Sequence, residues 1–190
     1  MTQKTNSILT ADMRAMVGKT GEKMEAWGVV DEEYLRRFAQ AIPDWDPLYW
    51  DKNLAQKSKF KGLTVPPLLP AYIVTRRALS EKDQMNEVMI QDPMNDGGMS
   101  SGGGTRSQRG LLPPLPLPPH ITRHLHGGDD VEVYQYPKMG DKISFQRKYT
   151  DIQERIGGDG MPFLVARSET TYWNQKGEVL CKVGTIDIRR

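Results

Sequence analysis

The sequence predicts an α+β domain built on an antiparallel sheet, and three observations predict it. Apolar residues recur at helical spacing in the first part of the chain, to about Leu79. From about Val131 onward, long alternating stretches are separated by short glycine-containing turns. Between them lies a Gly/Pro-rich run suited to neither element. Helices first, then sequential strands joined by tight turns, is the order expected of α+β rather than α/β. At 190 residues the chain fits one domain, 1–190, with room for a substantial core.

The helical elements are legible from caps and spacing. Asp31 suits an N-cap, and Glu32 and Glu33 suit the positive end of the helix dipole. Tyr34, Leu35, Phe38, Ala39 and Ile42 then form one apolar face, which Pro43 ends. A short helix is expected from Asp51 to Ser58. A longer one is expected to open at Pro66-Pro67, where proline's missing N–H costs nothing, and to run through Leu69, Tyr72, Ile73 and Leu79.

The middle run, about 91–119, holds Gly97-Gly98-Met99-Ser100-Ser101-Gly102-Gly103-Gly104 and then alternates leucine with proline from Leu111 to Pro119. Glycine resists ordering and the prolines favour polyproline II. Such a flexible loop is expected to be a lid, a binding loop, a disordered segment, or a loop that simply packs on its own protein. In the last zone, Ile143, Phe145 and Tyr149 share one strand face. Phe163, Val165 and Trp173 share one parity of the next strand, and Leu164, Ala166 and Tyr172 the other. Gly157-Gly158-Asp159-Gly160 and Asn174-Gln175-Lys176-Gly177 supply the turns, and Val179 to Ile188 the last strand.

Composition excludes several classes. With 26 Lys+Arg against 24 Asp+Glu, a formal charge of +2 gives no electrostatic case for nucleic acid. No run of about 18 apolar residues exists to span a membrane. The N-terminus has no apolar secretory core, and the single Cys181 has no internal partner, so a reducing cytoplasm is expected. Cys181 reads as a small buried hydrophobe rather than a nucleophile. Of His120, His124 and His126, the last two are spaced by two, but no Cys or second His pair completes a metal site, and the side chains are expected to diverge. No metal is therefore expected.

The motif that carries chemistry begins at Phe38: Phe-Ala-Gln-Ala-Ile-Pro-Asp-Trp-Asp-Pro-Leu-Tyr-Trp-Asp, then Ala55, Ser58, Phe60 and Val65-Pro66-Pro67. It resembles the motif of the MaoC-like acyl-thioester hydratases and dehydratases, Phe-x-x-x-x-Gly-Asp-x-Asn-Pro-Leu-His-x-Asp followed by Ala, Phe and Ala-His-Gly. Asp44, Pro47, Leu48, Asp51, Ala55, Phe60 and Pro67 keep its spacing. His126-Gly127-Gly128-Asp129-Asp130, Tyr136-Pro137 and Gly140-Asp141 resemble the N-terminal-type dehydratase domain of the same family. The resemblance implies a hot-dog fold, a long central helix wrapped by a curved antiparallel sheet, working in dimers. It also implies addition of water to a 2-enoyl thioester on coenzyme A or acyl carrier protein, or the reverse, with no metal or redox cofactor. An Asp/His pair would move the protons and a backbone N–H would hold the thioester oxygen.

Three positions depart from that machinery. Tyr49 stands at the histidine position, and a phenol of pKa about 10 is a poor base. Pro67 has no N–H to donate. Asp46 replaces asparagine, so that either two carboxylates raise one pKa or Asp-x-Asp-Pro makes an ordinary turn. The departures imply a subunit that shapes the acyl and coenzyme A pocket while a second hot-dog subunit supplies the Asp/His dyad; a self-dimer is the other assembly. The alternatives are a non-catalytic acyl-thioester-binding scaffold, or a hot-dog thioesterase using Asp44. If the chain has catalytic power of its own, His126 with Asp44 is the expected pair. Lys57, Lys59, Lys61, Arg76 and Arg77 are candidates for coenzyme A phosphates or simply solvated helix faces. Trp45 and Trp50 flank the motif turn and pack in a core, an interface or an acyl pocket.

Overall fold

The computed structural model describes residues 7–73, 112–121 and 123–190. Its element order is α1 (Ala11–Arg14), β1 (Met24–Val29), α2 (Glu32–Ala41), a 3₁₀ turn (Pro47–Tyr49), α3 (Lys52–Lys57), α4 (Leu69–Ile73), β2 (His124–Val133), β3 (Lys142–Ile156), β4 (Pro162–Trp173) and β5 (Val179–Arg189). Among the described residues the strands form one five-stranded sheet in the order β1-β3-β4-β5-β2, antiparallel at every pairing.

Helix α2 forms as its sequence predicts. The Asp31 carboxylate accepts the Tyr34 N–H at 2.6 Å, satisfying one of the first-turn donors that would otherwise be orphaned. Leu35, Phe38 and Ala39 are buried on one face. They meet Val65 from the stretch before α4, Leu69 from α4, and Ile143, Phe145, Tyr172, Leu180 and Cys181 from the sheet. Side chains of this kind each contribute about 1.5–3 kcal/mol by leaving water. Glu33, on the exposed face, bonds both Arg36 and Arg37, which hold its carboxyl down to about 2.

The structure differs from expectation in three places. The first zone is not wholly helical: Met24–Val29 is a strand paired with β3. Its six residues are too few to show a period, and Gly28 sits at φ 143, a conformation open only to glycine. β2 begins at His124 rather than near Val131, because pairing with β5 extends through the histidines. α4 begins at Leu69, one turn later than Pro66-Pro67, with the Leu69 N–H bonding the Pro66 carbonyl at 3.0 Å. The expected continuation to Leu79 lies outside the described residues.

The core-facing side of the sheet changes character along the strands. At one end Ile143, Phe145, Tyr172 and Cys181 lie under α2 and α4. At the other, Tyr149, Ile152 and Ala166 are covered by Leu9, Met16, Leu112 and Leu115. A bulge between Tyr149 and Asp151 keeps Tyr149 and Ile152, three apart, on one face. The Tyr149 hydroxyl donates to the Pro113 carbonyl at 3.1 Å. The described part of the Leu/Pro run, from residue 112, is thus a strap packed on its own sheet; residues 91–111 lie outside the described residues. Arg147 and Ser168 between these ends, and Asp187 and Arg189 level with and beyond Ala166, are also buried.

Candidate functional site

Residues 44–51 make one tight turn, and backbone capping explains most of its polar side chains. One Asp44 oxygen accepts the Asp46 N–H at 3.1 Å, and Asp46 in turn accepts the Leu48 N–H at 2.9 Å as N-cap of the 3₁₀ turn. Of the two readings of Asp-x-Asp-Pro, the geometry is that of the turn. Asp51 caps α3 through Asn53 and Leu54. The Trp50 indole donates to the Asp44 carbonyl at 3.3 Å and stacks on Trp45 with centroids 5.9 Å apart. Trp45 is 72% exposed, so it packs on its neighbour and not in the core.

This turn brings Asp44, Asp46 and Tyr49 together. Burial, followed by the charges of Asp44 and Asp46, raises the Tyr49 pKa above its ordinary value. A phenolate beside two carboxylates is therefore further from reach than in water. Tyr136 also neighbours Tyr49, and its ring meets Phe60 at 6.4 Å. Phe60 is 45% and Tyr136 55% exposed, so an open aromatic surface adjoins the motif. Tyr136 had no role in the sequence reading beyond its part in the resemblance. Only the return of the chain after β2 places it here.

The remaining candidates are dispersed. Pro67, half-buried ahead of α4, has no N–H at the position where a donor was sought. His126 is 58% exposed at the early end of β2, where its Nε2 lies 3.3 Å from an Asp129 oxygen; Asp129, not Asp44, is its carboxylate neighbour. A bulge between His126 and Gly128 allows that contact, and a Cβ at Gly127 would come within 2.8 Å of Ile186 Cγ2, so only glycine fits. His124 and His126 do not diverge: residues two apart on a strand point the same way, and both face the side that carries Asp187 and Arg189. Among the described residues, no group of three or more His, Cys, Asp or Glu is arranged to hold a metal.

Lys57 ends α3, exposed, and the Lys59 ammonium sits 5.0 Å over the Phe60 ring at the edge of the aromatic surface. Arg76 and Arg77 lie outside the described residues. The Gly140-Asp141 and Asn174–Gly177 segments are structural. Gly140 takes a left-handed φ of 85, and the buried Asp141 carboxylate accepts the Lys138 N–H at 2.8 Å and the Gln175 side-chain amide at 3.1 Å. Asn174 accepts the N–H groups of Lys176 and Glu178. Burial pushes the Cys181 thiol up to about 11, in keeping with its reading as a buried hydrophobe. Among the described residues no helix is long and apolar enough to cross a membrane.

The helices packed against one side of an antiparallel sheet are the architecture of a hot-dog α+β protein. The chain belongs to the family whose model is described as FAS1-like, dehydratase domain region, which matches residues 15–183. A UPF0336 protein of Saccharopolyspora erythraea is 25% identical over 161 residues, covering 85% of this chain and 81% of that protein. Three solved structures show the same fold at low identity. The ChsH1-ChsH2 complex of Mycobacterium tuberculosis matches with TM-score 0.60 at 13% identity, over 94% of this chain and 86% of that one. The MaoC-like dehydratase of Rhodospirillum rubrum matches with TM-score 0.53 at 17%, over 92% and 93%. The C-terminally truncated HadBC (3R-hydroxyacyl-ACP dehydratase) complex of M. tuberculosis matches with TM-score 0.54 at 13%, over 91% and 96%.

Proposed function

We propose that this chain is one subunit of an enoyl-CoA hydratase or 3-hydroxyacyl-thioester dehydratase, shaping the acyl and coenzyme A pocket while a partner hot-dog subunit supplies the Asp/His dyad. The observation that carries this reading is Tyr49. The turn that places a carboxylate at Asp44 sets a phenol beside it, and burial and the neighbouring charges raise that phenol's pKa. General-base removal of a proton from water near neutral pH needs a group that is unprotonated there, which this tyrosine is not. Two further features support the same reading. Pro67 offers no N–H to an enolate oxygen, and the exposed rings of Trp45, Phe60 and Tyr136 give a partner an aromatic surface beside the motif. Two of the structurally similar proteins are described as complexes.

In the reaction, the partner's base takes a proton from water as its oxygen adds to Cβ of the enoyl thioester, and the proton returns at Cα. This chain binds and orients the acyl group and, through Lys57 and Lys59, meets the nucleotide phosphates. No metal or redox cofactor enters. The test is to follow hydration of 2-enoyl-coenzyme A by the purified chain alone and after co-expression with a hot-dog chain carrying the intact Asp…His motif. Activity is expected only in the second case; strong hydration by the chain alone overturns the proposal. Free thiol released from saturated acyl-coenzyme A would favour a thioesterase instead.

A further inference from the structure

The core-facing side of the sheet carries a second polar group that the Asp44 turn does not use. Arg147 on β3 and Asp187 and Arg189 on β5 are each 7% exposed, with Ser168 on β4 at 2%. His124 on β2 joins them, its Nε2 2.7 Å from Asp187 Oδ1, with side-chain exposure of 14% for His124 and 10% for Asp187. Arg147 Nε donates to Ser168 Oγ at 2.8 Å. Its Nη2 lies 3.7 Å from Asp187 Oδ2, beyond hydrogen-bond distance. Arg147 Nη2 and Arg189 Nε are fully buried donors with no hydrogen-bond partner.

This arrangement is costly as it stands. Buried guanidinium donors are ordinarily hydrogen-bonded, and a donor left unsatisfied carries a desolvation cost even where a carboxylate stands within ion-pair range. Among the described residues the one carboxylate in the group, Asp187, is engaged by His124 on one oxygen and faces Arg147 at 3.7 Å on the other without a hydrogen bond. Two guanidiniums outnumber it by one, before any charge on His124 is counted. The neighbours Ile152 and Ala166 provide no acceptor, and the Tyr149 hydroxyl, which donates to the Pro113 carbonyl, accepts from neither of these two donors.

We propose that Arg147 and Arg189, with Asp187 and His124 beside them, form a binding site for a single carboxylate, which accepts from the unpartnered Arg147 Nη2 and Arg189 Nε. The charge count selects the ligand class. A monoanion brings the two guanidiniums and Asp187 to neutrality, whereas a sulfate or phosphate dianion overshoots and faces Asp187. Guanidinium–carboxylate bonds are also the strong, directional kind. The carboxylate is either a free small acid or the far end of an acyl group carried on a thioester. The site stands whether or not the chain is a hydratase subunit.

The full chain is titrated with acetate, propionate, sodium chloride and sodium sulfate at matched ionic strength, reading thermal midpoint and heat of binding. Saturable stabilisation by the carboxylates above chloride and sulfate is expected; equal effects of all four salts, or none, overturn the proposal. Glutaryl-coenzyme A and butyryl-coenzyme A then separate the sources. About tenfold tighter binding of the glutaryl form assigns the site to an acyl carboxylate, and equal binding beside a carboxylate response assigns it to a free acid. Arg189→Gln is expected to weaken carboxylate binding about tenfold or more. Asp187→Asn is expected to tighten it, an outcome that a purely structural cluster would not produce. Should either variant fail to fold, the salt series on the unaltered chain decides the matter.

Discussion

At the scale of single residues, the chemistry turns on which side chain stands beside which. Asp44 and Tyr49 share a turn, yet the phenol's raised pKa makes it an acceptor of last resort. Tyr49→Phe should therefore leave hydration by the assembled complex within about twofold. A loss in the range of about 10²–10⁴, the usual contribution of a general acid or base, would show that the hydroxyl takes part. Asp187 behaves differently. Burial pushes its carboxyl up, but the bond from His124 and the charges of Arg147 and Arg189 outweigh burial and hold it below the ordinary 3.8. A depressed carboxyl stabilises the fold fully above its unfolded pKa, and that stabilisation is lost as pH falls through the folded value. Urea unfolding should thus show stability falling below about pH 4, with a shallower fall in Asp187→Asn. At pH 7 the same variant should cost about 3–5 kcal/mol, because it removes the buried negative charge that offsets Arg147 and Arg189. Cys181, pushed up to about 11 by burial, should resist thiol-modifying reagents in native buffer and react only on unfolding.

At the scale of elements, the helices rest on caps and the strands on each other. Asp31→Ala removes the acceptor for the Tyr34 N–H and should cost about 0.5–2 kcal/mol in chemical unfolding, with α2 otherwise intact. Gly127→Ala should be far worse than an exposed glycine change, since its Cβ meets Ile186 at 2.8 Å inside the β2–β5 pairing. The expected result is a lowered thermal midpoint with disturbed amide signals along both strands. The element boundaries also explain the mixed success of sequence reading. α2 and α3 were legible because caps and 3.6-residue spacing are local. β1 was not, because six residues carry no secure period and its identity comes from pairing with β3.

At the scale of the whole molecule, the sheet leaves β2 as an edge strand, paired on one side to β5 among the described residues. Phe60, Tyr136 and Trp45 stand open beside the Asp44 turn. If a second hot-dog subunit covers that surface, light scattering should report a larger species on co-expression, and Trp45→Ala or Tyr136→Ala should weaken assembly about tenfold or more while leaving the chain folded. Unchanged assembly in both variants would move the interface elsewhere.

The sequence by itself determined the family, the α+β class, the Asp31 and Asp51 helices, and the strand faces of β3 and β4. Each of these depends on residue type and short spacing along the chain. It also places Tyr49 and Pro67 where the motif it resembles has histidine and glycine. Only tertiary structure decided that the Leu/Pro strap packs over Tyr149, that Tyr136 returns to Tyr49, and that His126 meets Asp129. Tertiary structure alone also gathers Arg147, Asp187, Arg189 and His124 from three strands into one buried polar group. Except for His126 and Asp129, which are three apart and meet through the bulge in β2, those contacts join residues tens of positions apart. Their energies come from burial and pairing across the sheet, quantities with no imprint on any short window of sequence.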